Sequence, residues 1–161
     1  MAQRLHELAE NPLPTPQELA EEFDIQWRAV PRRVTSADDI HTDYQAVSVG
    51  RPLNLLRPLS QNSSSVALRD WGEERSLSLS VDTVALCVSS HTLSTALSKA
   101  PWSFNHRPNP AGSHYSPADY HETNKNGQIV QVWMQGAGCI ETFTIVRYGP
   151  GIKPKIFLGK K

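Results

Sequence analysis

The chain lacks any apolar run as long as the roughly 18 residues that a membrane-spanning helix needs. Its opening stretch, MAQRLHELAENPLPTP, also lacks the apolar core and the small-residue cleavage site of a classical signal peptide. We therefore expect a soluble protein, intracellular or virion-associated, with no transmembrane segment.

Motifs of common enzymes and cofactor-binding proteins are missing as well. No GxSxG motif offers a nucleophilic serine, and the glycines within residues 136–138 join two predicted strands instead of opening a helix as a phosphate-binding loop does. Neither CxxC nor a metal-binding spacing of Cys and His occurs. We expect no metal and no cofactor, and these absences favour a protein that is not an enzyme.

Cysteine is scarce, since only Cys87 and Cys139 occur, each within an apolar stretch. One disulfide between them is arithmetically allowed, but cysteines in apolar surroundings usually behave as small buried hydrophobic residues. We therefore expect two buried free thiols, which suits a reducing compartment or no particular one.

The length of 161 residues suits one domain whose core needs neither disulfides nor metals. We expect a single domain over 1–161, with a mainly helical or extended segment at 1–45 and a β-rich body at 46–161. Proline and polar residues predict long loops at 51–65 and 101–127.

Charge sums to zero but is unevenly distributed along the chain. Residues 1–99 carry nine Lys and Arg against thirteen Asp and Glu, or −4, whereas residues 100–161 carry seven against three, or +4. The two halves can attract each other within one fold, support contacts between copies, or direct the basic half toward phosphate.

The N-terminal segment carries two helix patterns. Residues 3–10 predict a short helix, and a second helix begins with Thr15 as its cap, Pro16 in its first turn and Glu18 completing a capping box. Residues 23–33 fit both an amphipathic helix and a half-buried strand with alternating polarity, and we favour an extended segment there.

Alternating apolar residues predict strands in most of the remaining chain. YQAVSV, VALRDW and RSLSLSVDTVALCV read as strands, whereas SSHTLSTALSKAP predicts a short helix capped by Ser89 or Ser90. The stretch TSADDIHTDY predicts a short helix or a turn.

The C-terminal third predicts a three-stranded meander. Asn126-Gly127 is a strong hairpin signal, and QIVQVWMQ, CIETFTIVRY and IKPKIFLG follow as strands. A three-residue loop between the first two places Trp133 opposite Glu141 and leaves apolar residues on both faces of the hairpin. The predicted fold class is α+β, β-rich: short N-terminal helices, then an antiparallel sheet or sandwich ending in this meander.

Polar side chains are concentrated in SHYSPADYHETNKNG, residues 113–127. Metal-independent ribonucleases place a general base, a general acid and a cation around one phosphorus. If the loop folds over the sheet, a site of this kind would combine side chains near the turn with an arginine that the predicted register places opposite Gly127. The candidate catalytic residues are His121, Glu122, Lys125, Arg147 and His114.

Residues 15–33 resemble a helix-turn-helix in the spacing of Ala20, Ile25 and Val30. Pro31 would interrupt the recognition helix, and the acidic surroundings would repel DNA phosphate. This pattern gives a second alternative function, DNA binding.

The leading hypothesis is a non-enzymatic, β-rich structural or assembly protein that acts through self-association, such as a viral or phage coat, matrix or tail component. The expected partner is a second copy of the chain, and nucleic acid could bind to the basic C-terminal third. A small ribonuclease or toxin-type domain is the first alternative.

Overall fold

The computed structural model describes six stretches of the chain, residues 2–33, 40–49, 66–70, 74–80, 87–107 and 118–152. Some of the sequence predictions lie wholly or largely outside these residues. They include the loop at 51–65, the continuation of the predicted strand RSLSLSVDTVALCV over 81–86, the position of His114, and the last strand of the C-terminal meander, which would begin at Ile152.

The described residues form three short helices and eight strands. The helices are α1 (Ala2–Glu10), α2 (Pro16–Phe23) and α3 (Ser90–Ala96). The strands are β1 (Ile25–Arg33), β2 (Ile40–Val49), β3 (Val66–Asp70), β4 (Glu74–Ser80), β5 (Ser103–Arg107), β6 (Ala118–Lys125), β7 (Gln128–Gln135) and β8 (Thr142–Tyr148).

All eight strands belong to one antiparallel sheet with the order β1-β2-β3-β4-β8-β7-β6-β5. Strands β1 to β4 and β5 to β8 each follow the chain order, and the pairing of β4 with β8 joins the two halves. The α+β, β-rich prediction is confirmed at this level. Within the described stretches, no helix has the length and apolar character that crossing a membrane demands.

One face of the sheet, called the inner face, packs against the helices. Its central row, Leu77, Ile145 and Val132, runs across β4, β8 and β7 in register and is fully buried. The helices cover this row with apolar side chains that are themselves buried, namely Leu5, Leu8, Leu19, Leu93 and Leu97. Burial of this continuous apolar surface is the main stabilising term in a fold of this size.

Local capping signals set the helix boundaries as the sequence predicts. The hydroxyl of Thr15 accepts a hydrogen bond from the Glu18 backbone amide at 3.2 Å, and the Glu18 carboxylate accepts one from the Thr15 amide at 2.7 Å. Helix α2 then ends at Asp24, whose left-handed φ of 50° turns the chain directly into a strand.

The segment after α2 therefore contradicts the predicted helix-turn-helix. Residues 25–33 form β1 and pair with β2 along the strand, so no recognition helix exists. The left-handed Asp24 ends the helix, and Trp27 anchors the strand against it by donating its Nε1–H to the Pro16 carbonyl at 2.7 Å.

One further sequence prediction was wrong because strand pairing overrides local composition. The predicted loop at 101–127 contains β5 and β6, so its described part is mostly strand. The polar residues of β5 pair with β6. The first half of the predicted helix or turn at 35–44 lies outside the described residues; from Ile40 onward the chain forms β2, which pairs with β1 and β3.

The Asn126-Gly127 turn is confirmed. Both residues have positive φ, 54° and 78°, as a two-residue hairpin loop with this twist requires. The turn brings Lys125 opposite Gln128, and the Asn124 side chain accepts a hydrogen bond from the Gly127 amide at 3.0 Å. It fixes the register of β6 on β7.

The predicted register of β7 on β8 was wrong by three residues. Trp133 lies opposite Thr144 instead of Glu141, because the connection spans residues 136–141 instead of three glycine-rich residues. Ile140 leaves the hairpin and donates its amide hydrogen to the Val88 carbonyl at 2.9 Å. An odd shift exchanges the faces of a strand, and here it places Phe143 on the inner face with the valines of β7.

Cys87 and Cys139 form a disulfide, so the prediction of two free thiols was also wrong. The 136–141 connection folds against the segment before α3, where Ser89 pairs with Cys139 and the Ser90 amide donates to the Gly138 carbonyl at 3.0 Å. This contact brings the two cysteine Cα atoms to 5.0 Å, within the usual range for a bridge.

Replacing both cysteines by serine is expected to lower the free energy of unfolding by about 2–4 kcal/mol, because the disulfide closes a loop of 52 residues in the unfolded chain. Urea unfolding of the wild type and of C87S/C139S under oxidising conditions measures the loss. Each single serine variant should lose about as much free energy of unfolding as the double variant, because either change removes the disulfide. Equal midpoints for wild type and double variant would contradict the bond.

Candidate functional site

The structure places His121 and Glu122 on opposite faces of the sheet. They are neighbours in β6, and neighbouring side chains in a strand point to opposite sides. His121 lies on the inner face opposite Val132, whereas Glu122 lies opposite Gln131 and accepts a hydrogen bond from its amide nitrogen at 2.8 Å. The two groups therefore do not converge on one substrate atom.

Arg147 is bound to the end of α1. Its register partner is Val130 and not the predicted Gly127, which places the buried guanidinium beneath the helix. One of its terminal nitrogens donates to the Ala9 carbonyl at 2.8 Å and also to the Asn11 carbonyl. The last carbonyls of a helix have no partner within it, and Arg147 supplies one.

Lys125 serves the same helix end through Glu10. Its ammonium group contacts the Glu10 carboxylate and also donates to the Glu10 carbonyl at 3.3 Å. Trp102 donates its indole N–H to the same carboxylate. Burial raises the pKa of Glu10, but the hydrogen bonds from Lys125 and Trp102 and the lysine charge outweigh it and hold the pKa below its usual value.

The ribonuclease interpretation stays a prediction after these placements. Its two cations, Lys125 and Arg147, both form hydrogen bonds with α1. Its candidate acid and base, His121 and Glu122, lie on opposite faces of the sheet. His114 lies outside the described residues.

A second set of groups surrounds His121, and it comes from α3. Ser94 lies in the last turn of α3 and Leu97 is the residue that caps its C-terminal end, so both groups lie where this helix end meets β6. The His121 Nε2 atom lies 3.1 Å from the Ser94 hydroxyl, and Nδ1 lies 3.1 Å from the Leu97 carbonyl oxygen. One imidazole thus bridges two groups of a single helix face.

The hydrogen bonds determine which nitrogen of His121 carries the proton. A carbonyl oxygen only accepts, so Nδ1 must be the donor to Leu97. In the neutral ring Nε2 is then an acceptor, and the Ser94 hydroxyl donates to it. This is the arrangement in which a histidine removes a proton from a serine.

Burial keeps this imidazole neutral. His121 is only 2% exposed, and the loss of water around the ring lowers its pKa below 6.5, although the Leu97 carbonyl and the Asp119 carboxylate oppose the shift. The Phe104 ring packs edge-on against it, with 5.3 Å between ring centroids.

A cleft of about 290 Å³ opens beside the Ser94–His121 pair, between α3 and the edge of the sheet. Asp119 lines it and also binds His106 of β5, with 2.6 Å between the carboxylate oxygen and Nδ1. The lining side chains are Ser90, His91, Ser94, Phe104, Asp119, His121 and Met134. Across the described stretches, no three His, Cys, Asp or Glu side chains converge as metal ligands.

Sequence reasoning identified His121 but missed Ser94. The two residues are 27 positions apart, and no motif links a serine within a helix to a histidine in a later strand. The need for such a partner follows only from the structure, which shows His121 to be buried, because a buried imidazole needs a partner for each nitrogen.

Comparisons with protein-family models, with curated proteins and with solved structures find no match to this chain. Any function assigned to the cleft or to the sheet therefore rests on the geometry of these residues.

Arg147→Met is expected to lower the free energy of unfolding by about 2 kcal/mol, because it leaves the α1 carbonyls without their charged donor. Arg28→Met is the matched control, since Arg28 is exposed on β1 and donates to the Gln45 side chain at 2.7 Å. Urea unfolding compares the two. Equal losses of unfolding free energy in the two variants would contradict the role of Arg147 at the helix end.

The stability of the protein is expected to fall as the pH drops from 7 toward 5. The folded-state pKa of His121 lies below its ordinary value of 6.5, so its contribution is complete above that value and is lost as the pH falls through the lowered pKa. Thermal unfolding in a pH series measures the slope.

His121→Asn should flatten this slope, and Ser94→Ala should keep it, because the alanine variant retains the buried imidazole. A slope that is the same in wild type and in His121→Asn would contradict the assignment.

Proposed function

We propose that the chain is a β-rich structural or assembly protein that associates with a second copy of itself through the edge strand β5. The observation that carries the proposal is an exposed aromatic side chain on this edge. Phe104 is 55% exposed and sits in a strand that, within the described residues, pairs only with β6.

The opposite edge of the sheet is protected against the same contact. Strand β1 contains Pro31, which offers no amide hydrogen, together with three arginines. Its pairing also shifts between Gln26 and Trp27. Proline, charge and irregular pairing are the features by which natural edge strands avoid association. Strand β5 contains no proline, and its pairing with β6 is regular.

The sequence of β5 suits antiparallel pairing with itself. A two-fold axis at Asn105 would set Phe104 of one copy opposite His106 of the other, on the inner face of both sheets. The same register sets Arg107 opposite Ser103, so no like charges meet. The result is one continuous sheet with the helices of both copies on the same side.

Continuous sheets with one covered face suit a coat, matrix or tail component of a virus or phage, which is the class we favour. Nucleic-acid binding through the basic C-terminal third is less well supported, because Lys125 and Arg147 direct donors to α1.

Size-exclusion chromatography with light scattering tests this proposal. We expect a mass of at least twice 17.9 kDa for the wild type, and a shift toward monomer for Phe104→Asp and for Asn105→Pro. Val47→Asp is the matched control, because Val47 is also a large exposed apolar side chain, 47% exposed, but lies in β2 and away from the β5 edge. A strictly monomeric wild type, or equal shifts in all three variants, would refute edge association.

A further inference from the structure

The cleft between α3 and β6 combines a serine hydroxyl, a neutral imidazole and an apolar wall. We propose that Ser94 and His121 form a nucleophile–base pair that accepts acyl groups from neutral or cationic esters bound in this cleft. The activity is separate from self-association and needs no group beyond those of one chain.

The geometry of the pair is that of an activated nucleophile. The Ser94 hydroxyl lies 3.1 Å from Nε2, within reach for proton transfer, and the carbonyl of Leu97 orients the ring from its other side. In many hydrolases a carboxylate accepts a hydrogen bond from the second ring nitrogen of the histidine. Here the Leu97 backbone carbonyl accepts that bond from Nδ1. The tautomer is correct, but the ring nitrogen is held by an uncharged carbonyl, and the Asp119 charge acts on the imidazolium without a hydrogen bond to it, so we expect slow turnover.

The state of the imidazole supports the same role. Burial lowers the pKa of His121, so at neutral pH the ring is unprotonated and its Nε2 lone pair is available to Ser94. Ser94 itself is only partly buried and borders the cleft, so a substrate can approach its hydroxyl.

The lining of the cleft indicates the class of substrate. Phe104 and Met134 offer apolar contact, and the Asp119 carboxylate would repel an anion. Among the described residues, neither a Lys nor an Arg lines the cleft. A phosphodiester is therefore disfavoured, and a carboxylic ester with a neutral or positively charged acyl or alcohol group fits best.

The reaction proceeds in two balanced steps. The Ser94 oxygen attacks the ester carbonyl carbon while Nε2 of His121 takes the hydroxyl proton, and the alcohol leaves with that proton, giving acyl-Ser94. Water then attacks the acyl carbon, Nε2 takes a proton from it, and the carboxylic acid leaves as the proton returns to the Ser94 oxygen.

A fluorophosphonate with an uncharged alkyl tail tests the nucleophile in the intact protein. The serine oxygen displaces fluoride from phosphorus, and intact-mass and peptide mass spectrometry locate the adduct. We expect one adduct, on Ser94, and a labelling rate that rises with pH to a plateau whose midpoint lies below 6.5, the ordinary value for histidine.

Variants separate base catalysis from mere exposure of a serine. His121→Gln should slow labelling by about 10²-fold, in the range of general-base catalysis, and Ser94→Ala should abolish it. Ser98→Ala is the control, because Ser98 lies one turn further on and donates to the Ser94 carbonyl at 2.7 Å. Circular dichroism checks that each variant folds.

Ester and phosphodiester substrates then test the substrate class. We expect p-nitrophenyl acetate to be hydrolysed in a Ser94-dependent way and bis(p-nitrophenyl) phosphate to be untouched. Absence of an adduct on Ser94 in the wild type overturns the proposal without reference to any variant. Labelling that is unchanged in a folded His121→Gln protein overturns the role of the imidazole.

Discussion

Strand β8 holds the two halves of this protein together. It pairs with β4 on one side and with β7 on the other, and no other strand of the described sheet joins the first four strands to the last four. Its inner-face residues Phe143 and Ile145 are fully buried against both neighbours. Because hydrophobic burial and strand pairing coincide here, this strand fixes how the two four-stranded halves of the sheet lie relative to each other.

The next inner-face residue of β8 belongs to a contact between the acidic and the basic half of the chain. Arg147 binds the carbonyls at the end of α1, and Lys125 of β6 pairs with Glu10 of that helix. The acidic first half and the basic second half of the chain thus meet within the fold. Because this lysine and this arginine bind α1, the charge asymmetry by itself gives little support to a phosphate-binding surface.

Local signals were sufficient for local structure. The Thr15–Glu18 capping box, the cap at Ser89 and the Asn126-Gly127 turn each act within a few residues, and all three form as predicted. The β7–β8 register could not be predicted, because Ile140 leaves the hairpin to bind Val88, a contact far away in sequence. The disulfide could not be predicted for the same reason, because it forms only when the 136–141 connection folds against the segment before α3.

Among the candidate site residues, sequence reasoning found the histidine and missed its environment. His121 becomes chemically informative only once α3 packs on β6, since the helix supplies a partner for each ring nitrogen. Phe104 connects this site to the sheet edge, because its ring packs against His121 while its outer side remains exposed. A second copy paired along β5 would cover the exposed part of that ring and border the cleft, whereas the contact between Ser94 and His121 lies within one chain.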